Sequence, residues 1–221
     1  METSAGVVAE LDLGCPLTSL CLSPNLQYCA VGARDVVKVL DLGPEGFAEV
    51  KTLSITTKGS IKFSITDVSW SAMDSGLVAA AMNNGGIVVW DVLPSHHSER
   101  VMVEHQRTVN RVAWHPSEPA LLLSCSMDNS IKLWDRRGRT HHCAVTFRPR
   151  SEAVRDVQFS PFQPHRFAAA FENGQLQVWD RRKVSQPQLK IMAHSQPIMA
   201  IDWHPMRDWV IATGSRDRTV R

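Results

Sequence analysis

The chain has 221 residues, of which 43% are hydrophobic and 21% charged, and its formal net charge is +2. That balance belongs to a globular chain rather than a disordered one, and it implies no nucleic-acid binding without a local basic patch. Apolar runs such as "GLVAAAM" at 76–82 fall far short of the roughly 20 residues of a membrane-spanning helix. "METSAGVVAELDLG" has neither the charged start nor the apolar stretch of a secretory signal.

Taken in order, the chain repeats one set of pieces. A degenerate first unit reads "LTSLCLSP", "QYCAVG", "ARD" and "VVKVLDL". The second reads "ITDVSW", "SGLVAAAM", "NNG", "GIVVWD" and "ERVMV". The third is the clearest. "TVNRVAW" (108–114) alternates as a half-buried strand does. "HPSEP" (115–119) is a turn, "ALLLSCS" (120–126) an apolar second strand and "MDN" (127–129) a tight turn. "SIKLWD" (130–135) is a third strand, and "HCAVTF" (142–147) a more polar fourth. A fourth unit gives "AVRDVQF", "FAAAF", "ENG", "QLQVWD" and "QLKIMA"; a fifth gives "PIMAIDWHP", "WVIATGS", "RDR" and "TVR".

Five cysteines stand at 15, 21, 29, 125 and 143, an odd number with no Cys-x-x-Cys pair. The pattern argues against a disulfide scaffold and a zinc module and fits a reducing, intracellular compartment. Cys125, inside "LLLSCSMD", reads as a small buried hydrophobe.

The third strands end at Asp41, Asp91, Asp135 and Asp180, at gaps of 50, 44 and 45 residues. Four short strands every roughly 40–45 residues, with recurring Trp-Asp endings, is the pattern of WD40 propeller blades, and the chain resembles that family over nearly its whole length. The implied fold is all-β: one WD40 β-propeller domain over 1–221, with about 4.7 blades present. The blades are expected at 15–55, 61–103, 105–147, 150–193 and 194–221. The last ends inside a third strand, as a fragment of a seven-bladed ring would, and the expectation is that this chain alone is aggregation-prone. "GVVAELDL" (6–13) reads as a closing outer strand for a blade not represented.

In the WD40 family a buried polar network joins a His before the first strand, a hydroxyl in the second, an Asp in the tight turn and the Trp of the third. The resemblance carries these roles onto His105, Ser124, Asp128 and Trp134, and three of them onto His194, Thr213 and Asp217. The unit ending at Trp90 has Ile61, Ala80 and Asn84 instead; the unit ending at Trp179 has Arg150, Ala169 and Asn173. These two are expected to carry fewer side-chain ties.

Neither a catalytic nor a cofactor reading fits. A Ser-His-Asp hydrolase would need Ser124 on an exposed elbow, but it lies mid-strand in an apolar run. "NNGG" (83–86) is a hairpin turn, not a phosphate-binding loop. The His-His pairs at 96–97 and 141–142 have no Cys or carboxylate partners for zinc and read as solvated loops. No catalytic residue, cofactor or metal is expected.

Longer phrases narrow the family. Ala153–Phe159, Phe171–Arg182 and Gln196–Pro205 resemble the N-terminal propeller of the WD-repeat, RING-ended subunit of the GATOR/SEA complex. That resemblance implies a non-enzymatic scaffold in a GATOR2-type assembly that promotes amino-acid signalling to TOR complex 1. It implies peripheral attachment at the lysosomal or vacuolar surface through the complex, with other GATOR/SEA subunits as partners. The family's RING end and helical solenoid have no counterpart in these residues.

Two loops, "WDRRGR" and "WDRRK", place Arg136, Arg137 and Arg139, and then Arg181, Arg182 and Lys183, after the Trp-Asp endings. One reading is solvated loops with each Arg paired to a nearby Asp. The other is a contiguous basic patch on one face, joined by Arg148 or Arg150, that binds a protein partner. "WDRR" also resembles the Trp-Asp-x-Arg box of cullin-4 ubiquitin-ligase substrate receptors, in which Arg137 and Arg182 would contact the ligase adaptor. Nucleic acid is not expected, because the loops lack interleaved aromatics.

Overall fold

The structure, a computed structural model, describes residues 10–44, 46–55, 63–92, 99–138 and 142–221. Those residues form strands and loops, with no helix among them. Four antiparallel sheets of four strands follow one another. The first holds β1 (Ser19–Leu22), β2 (Tyr28–Gly32), β3 (Val36–Gly43) and β4 (Gly46–Ser54). The second holds β5 (Ile65–Trp70), β6 (Leu77–Met82), β7 (Gly86–Asp91) and β8 (Glu99–Val103). The third holds β9 (Val109–Trp114), β10 (Leu121–Ser126), β11 (Ile131–Asp135) and β12 (Val145–Phe147). The fourth holds β13 (Val154–Phe159), β14 (Arg166–Phe171), β15 (Gln175–Asp180) and β16 (Leu189–Met192). β17 (Ile198–Trp203) and β18 (Ile211–Ser215) pair as a fifth sheet, against which Val220 bridges to Gly214.

Each sheet is a meander, so sequence neighbours are sheet neighbours. The sheets stack face to face, and one apolar cluster fills each gap. Ala30, Val37 and Leu53 of the first sheet meet Val68, Val78 and Trp90 of the second. Leu77, Ala79 and Val89 meet Val112, Leu122 and Trp134. Leu123, Cys125 and Phe147 meet Val157, Phe167 and Trp179. Ala168, Ala170 and Leu176 meet Ile201 and Trp203. A strand covered on both faces cannot alternate polar and apolar residues. This is why β6 and β10 are buried at every position and read as unbroken apolar runs.

Two expectations need correction. The polar fourth strand of the third sheet covers only Val145–Phe147, because the preceding residues bend: Cys143 Sγ sits 3.3 Å from Thr146 Oγ1. A strand over 6–13 is not formed at 10–13; residues 6–9 lie outside the described residues. The Asp12 carboxylate accepts the Gly14 N–H at 2.8 Å and Gly14 takes φ +68°, which turns the chain and sets Leu13 against Cys29, Val31 and Leu40.

Candidate functional site

Each sheet has two ends. One carries the tight turn between its second and third strands. The other carries the loops after the first and third strands, including the arginines.

At the first end of the third sheet, the His105 ring joins Asp128 Oδ2 through Nδ1 and Ser124 Oγ through Nε2, both at 2.8 Å. The Trp134 indole donates to Ser124 Oγ at 2.8 Å. With the ring proton on Nδ1 the chain is directional: indole N–H to Ser124, Ser124 O–H to the imidazole, imidazole N–H to Asp128. All polar atoms of this buried set are then satisfied, as burial demands. Burial alone would raise the Asp128 pKa, but hydrogen bonds from His105, Ser130 and the Gln106 N–H outweigh it and hold the carboxyl far below its ordinary range. Ser124 is fully buried and already bonded twice, so it has no path to a substrate. The fifth sheet repeats the arrangement, with His194 2.9 Å from Asp217 and 2.8 Å from Thr213.

The fourth sheet is not short of side-chain ties, contrary to the expectation. Its Trp179 indole donates to Gln177 Oε1 at 3.0 Å. The Gln177 amide donates to Gln175 at 3.2 Å, and Gln175 accepts the Ser151 hydroxyl, which in turn accepts the Asn173 amide. Register explains the substitution. Ser124 faces Lys132 across β10 and β11, and Ala169 faces Gln177 across β14 and β15. The acceptor has moved across the strand pair, and the longer amide replaces the hydroxyl. The signal is legible in "QLQVWD": a Gln two residues before Trp, where the hydroxyl position is Ala. In the second sheet both positions are apolar, Ala80 facing Val88, and the buried Trp90 indole N–H finds no acceptor among the described residues. Ile61, expected in place of its His, lies outside the described residues.

Between the first strands runs a cluster that the sequence reading missed. Asp67, Arg111 and Asp156 occupy matching positions on β5, β9 and β13. Arg111 Nη1 lies 3.3 Å from Asp67 Oδ1, and its Nε lies 3.4 Å from Asp156 Oδ1. Each carboxylate also caps a backbone N–H of the next sheet: Asp67 accepts from Val112 at 3.0 Å and Asp156 from Ile201 at 2.8 Å. Burial raises both carboxyls, that of Asp156 to about 6, while Arg111 opposes the rise. A charged residue in the second position of "TDVSW", "NRVAW" and "RDVQF" was the available sign.

The arginines lie at the other end. Arg137 forks onto Asp135, its Nε 2.9 Å from Oδ1 and its Nη2 2.7 Å from Oδ2. Arg182 does the same on Asp180 at 2.8 and 2.6 Å, and this hydrogen bonding draws the Asp180 pKa down to about 2. Arg181 pairs with Glu118, which also lies 3.9 Å from Arg137, so Glu118 links the two loops. Arg136 is placed over the Trp114 ring at 5.6 Å. Lys183 is exposed; Arg139 lies outside the described residues, as do His96, His97 and His141. His142 binds Glu104 at 2.7 Å. The loops therefore meet as neighbours, with each of the three forked or paired arginines held against a carboxylate.

Arg148 and Arg150 do not extend that face. β12 runs antiparallel to β11, so the chain after Phe147 leaves at the opposite end, where Arg148 lines a depression with Arg107, Asp128 and Asn129. Among the described residues, no cluster of three or more His, Cys, Asp or Glu could hold a metal ion.

Comparison with known proteins agrees with this architecture. The model of the WD domain, G-beta repeat matches residues 97–135, 141–180 and 185–221. The chain is 38% identical to the zebrafish (Danio rerio) GATOR2 complex protein WDR24, covering 100% of this chain and 28% of that protein. It is 38% identical to the human (Homo sapiens) GATOR2 complex protein WDR24, covering 98% and 27%. Restriction of telomere capping protein 1 from Lachancea thermotolerans is 32% identical over 63% of this chain and 12% of its own length. The chain thus spans less than a third of these relatives. With its repeat endings, meander sheets and buried His–hydroxyl–Asp–Trp chain all in register, it belongs to the WD40 repeat family and is similar along its length to GATOR2 complex proteins.

Proposed function

We propose that this propeller is the partner-docking part of a non-enzymatic scaffold subunit in a GATOR2-type complex, and that the complex promotes amino-acid signalling to TOR complex 1. The observation that carries the reading is identity of 38% across the whole chain to proteins named as GATOR2 complex members. The geometry supports a scaffold: the Ser-His-Asp set is buried and consumed in holding Trp134. Attachment at the lysosomal or vacuolar surface is proposed to be peripheral and to come through the complex.

The test is affinity purification of the intact protein from cells of its own source. Co-purification with other GATOR2 subunits supports the reading. Recovery without them, or with a cullin-4 adaptor alone, overturns it. Depletion should then weaken phosphorylation of TOR complex 1 substrates after amino-acid readdition.

A further inference from the structure

Among the described residues, three hydroxyls stand three positions after an arginine: Ser151, Ser185 and Thr219. Two are committed to the fold. Ser151 Oγ bonds Gln175 and Asn173, and Thr219 Oγ1 bonds Asp217 at 2.7 Å beside His194. Ser185 differs in every respect that matters. It lies in the exposed loop between β15 and β16, and its hydroxyl has no hydrogen-bond partner among the described residues. It follows Arg181, Arg182 and Lys183 at four, three and two positions. Val184 beside it is 40% exposed, and the Arg182 side chain is 65% exposed. Arg182 uses Nε and Nη2 on Asp180, which leaves Nη1 for an incoming carboxylate.

We propose that Ser185 is a phosphoacceptor for a basophilic serine/threonine kinase. Such enzymes select substrates by matching their own carboxylates to basic residues before the target. The Ser185 oxygen forms a bond to the γ-phosphorus of ATP, and the bond from that phosphorus to the β–γ bridging oxygen breaks. ADP leaves with the electron pair, and the hydroxyl proton passes to the kinase's base. The product adds about −1.5 to −2 charge and three strong acceptors within a loop of three cations. Arg182 and Lys183 then turn toward the phosphate, and the positive charge of the loop falls by about half or more. An effect on partner docking rests on the proposed scaffold role; the phosphorylation itself does not.

The experiment treats the intact protein with ATP and a kinase that requires arginine three residues before its target, followed by peptide mass mapping. Phosphate on Ser185, lost in S185A, is the expected result. A synthetic peptide spanning 179–190 is the control. Phosphorylation of that peptide with none on Ser185 of the intact protein overturns the proposal, as does phosphate confined to Ser151 or Thr219. Purification with and without prior phosphorylation separates the second effect. Partners lost only from phosphorylated wild type, and kept by treated S185A, identify the loop as a charge-controlled contact. Partners unaffected by Ser185 phosphate overturn that role of the loop, and the scaffold reading stands or falls on partner recovery alone.

Discussion

Arg111 Nε lies 3.4 Å from Asp156 Oδ1, and through that contact the first strands of two adjacent blades share a charge. The same guanidinium reaches Asp67 in the blade on its other side. Replacing Arg111 with Met would leave two carboxylates that are each no more than 4% exposed without their counter-ion. Breaking a buried pair costs about 3–5 kcal/mol; half of the Arg111 side chain meets solvent, so a loss nearer about 2 kcal/mol is expected. Urea denaturation of the wild type and R111M measures it. Equal midpoints would show that solvent already screens the carboxylates.

The buried carboxyls give stability two opposite pH dependences. Asp156 is raised to about 6 from 3.8, so it favours the folded state fully below 3.8, and that contribution is lost as pH rises through about 6. Asp180 is lowered to about 2 from 3.8, so its contribution is present above 3.8 and lost as pH falls toward 2. The stability of the wild type relative to D156N should therefore decline between pH 4 and 7. Relative to D180N it should decline below pH 4. Thermal melts across that range test both signs.

Ser124 serves two buried partners, so S124A should leave the His105 Nε2 and the Trp134 N–H unsatisfied. At about 1–3 kcal/mol for each orphaned group, the expected loss is about 2–6 kcal/mol. Gln177→Leu should cost about 1–3 kcal/mol by stranding the Trp179 indole. A Q177L protein as stable as the wild type would mean that the amide chain of the fourth blade contributes nothing.

Gly85 and Gly174 have φ of +89° and +79°, and an added Cβ at either would collide with the carbonyl oxygen of His105 or His194 on the next blade. Alanine at either position should lower stability by more than the ~1 kcal/mol of a left-handed backbone penalty alone, because the turn must also withdraw from its neighbour. The corresponding turn of the third blade holds Asn129 at φ +64°, so N129G should be neutral or slightly stabilising. Differential scanning calorimetry of the three variants separates the two effects.

Strand order and blade number were legible from the recurrence of the whole set of pieces at near-constant spacing. The His105 and His194 networks were legible only through the family resemblance, whose offsets they keep. Other features left only single-residue signs that were hard to read, for specific reasons. The Gln177 substitute sits on a different strand from the hydroxyl that it replaces, so aligning units by position shows a loss rather than an exchange. The Asp67–Arg111–Asp156 cluster joins residues 44 and 45 positions apart on separate sheets. Each unit alone presents only one unexplained charge within an apolar strand.

The arginines show where the division falls. By itself the sequence determined that the Trp-Asp-Arg-Arg loops recur, because a repeat returns its residues at the same place in each blade. It also determined that second strands such as "LVAAAM" are buried on both faces, since such runs leave no polar side to meet water. Tertiary structure alone decided what the charges do. Glu118 comes from the turn after the first strand, yet it lies between Arg137 and Arg181 because stacked blades bring that turn beside both loops. Antiparallel pairing sent Arg148 to the far end of the blade. Charge is a property of residues, whereas a patch or a neutralised pair depends on distances that only the packed sheets set.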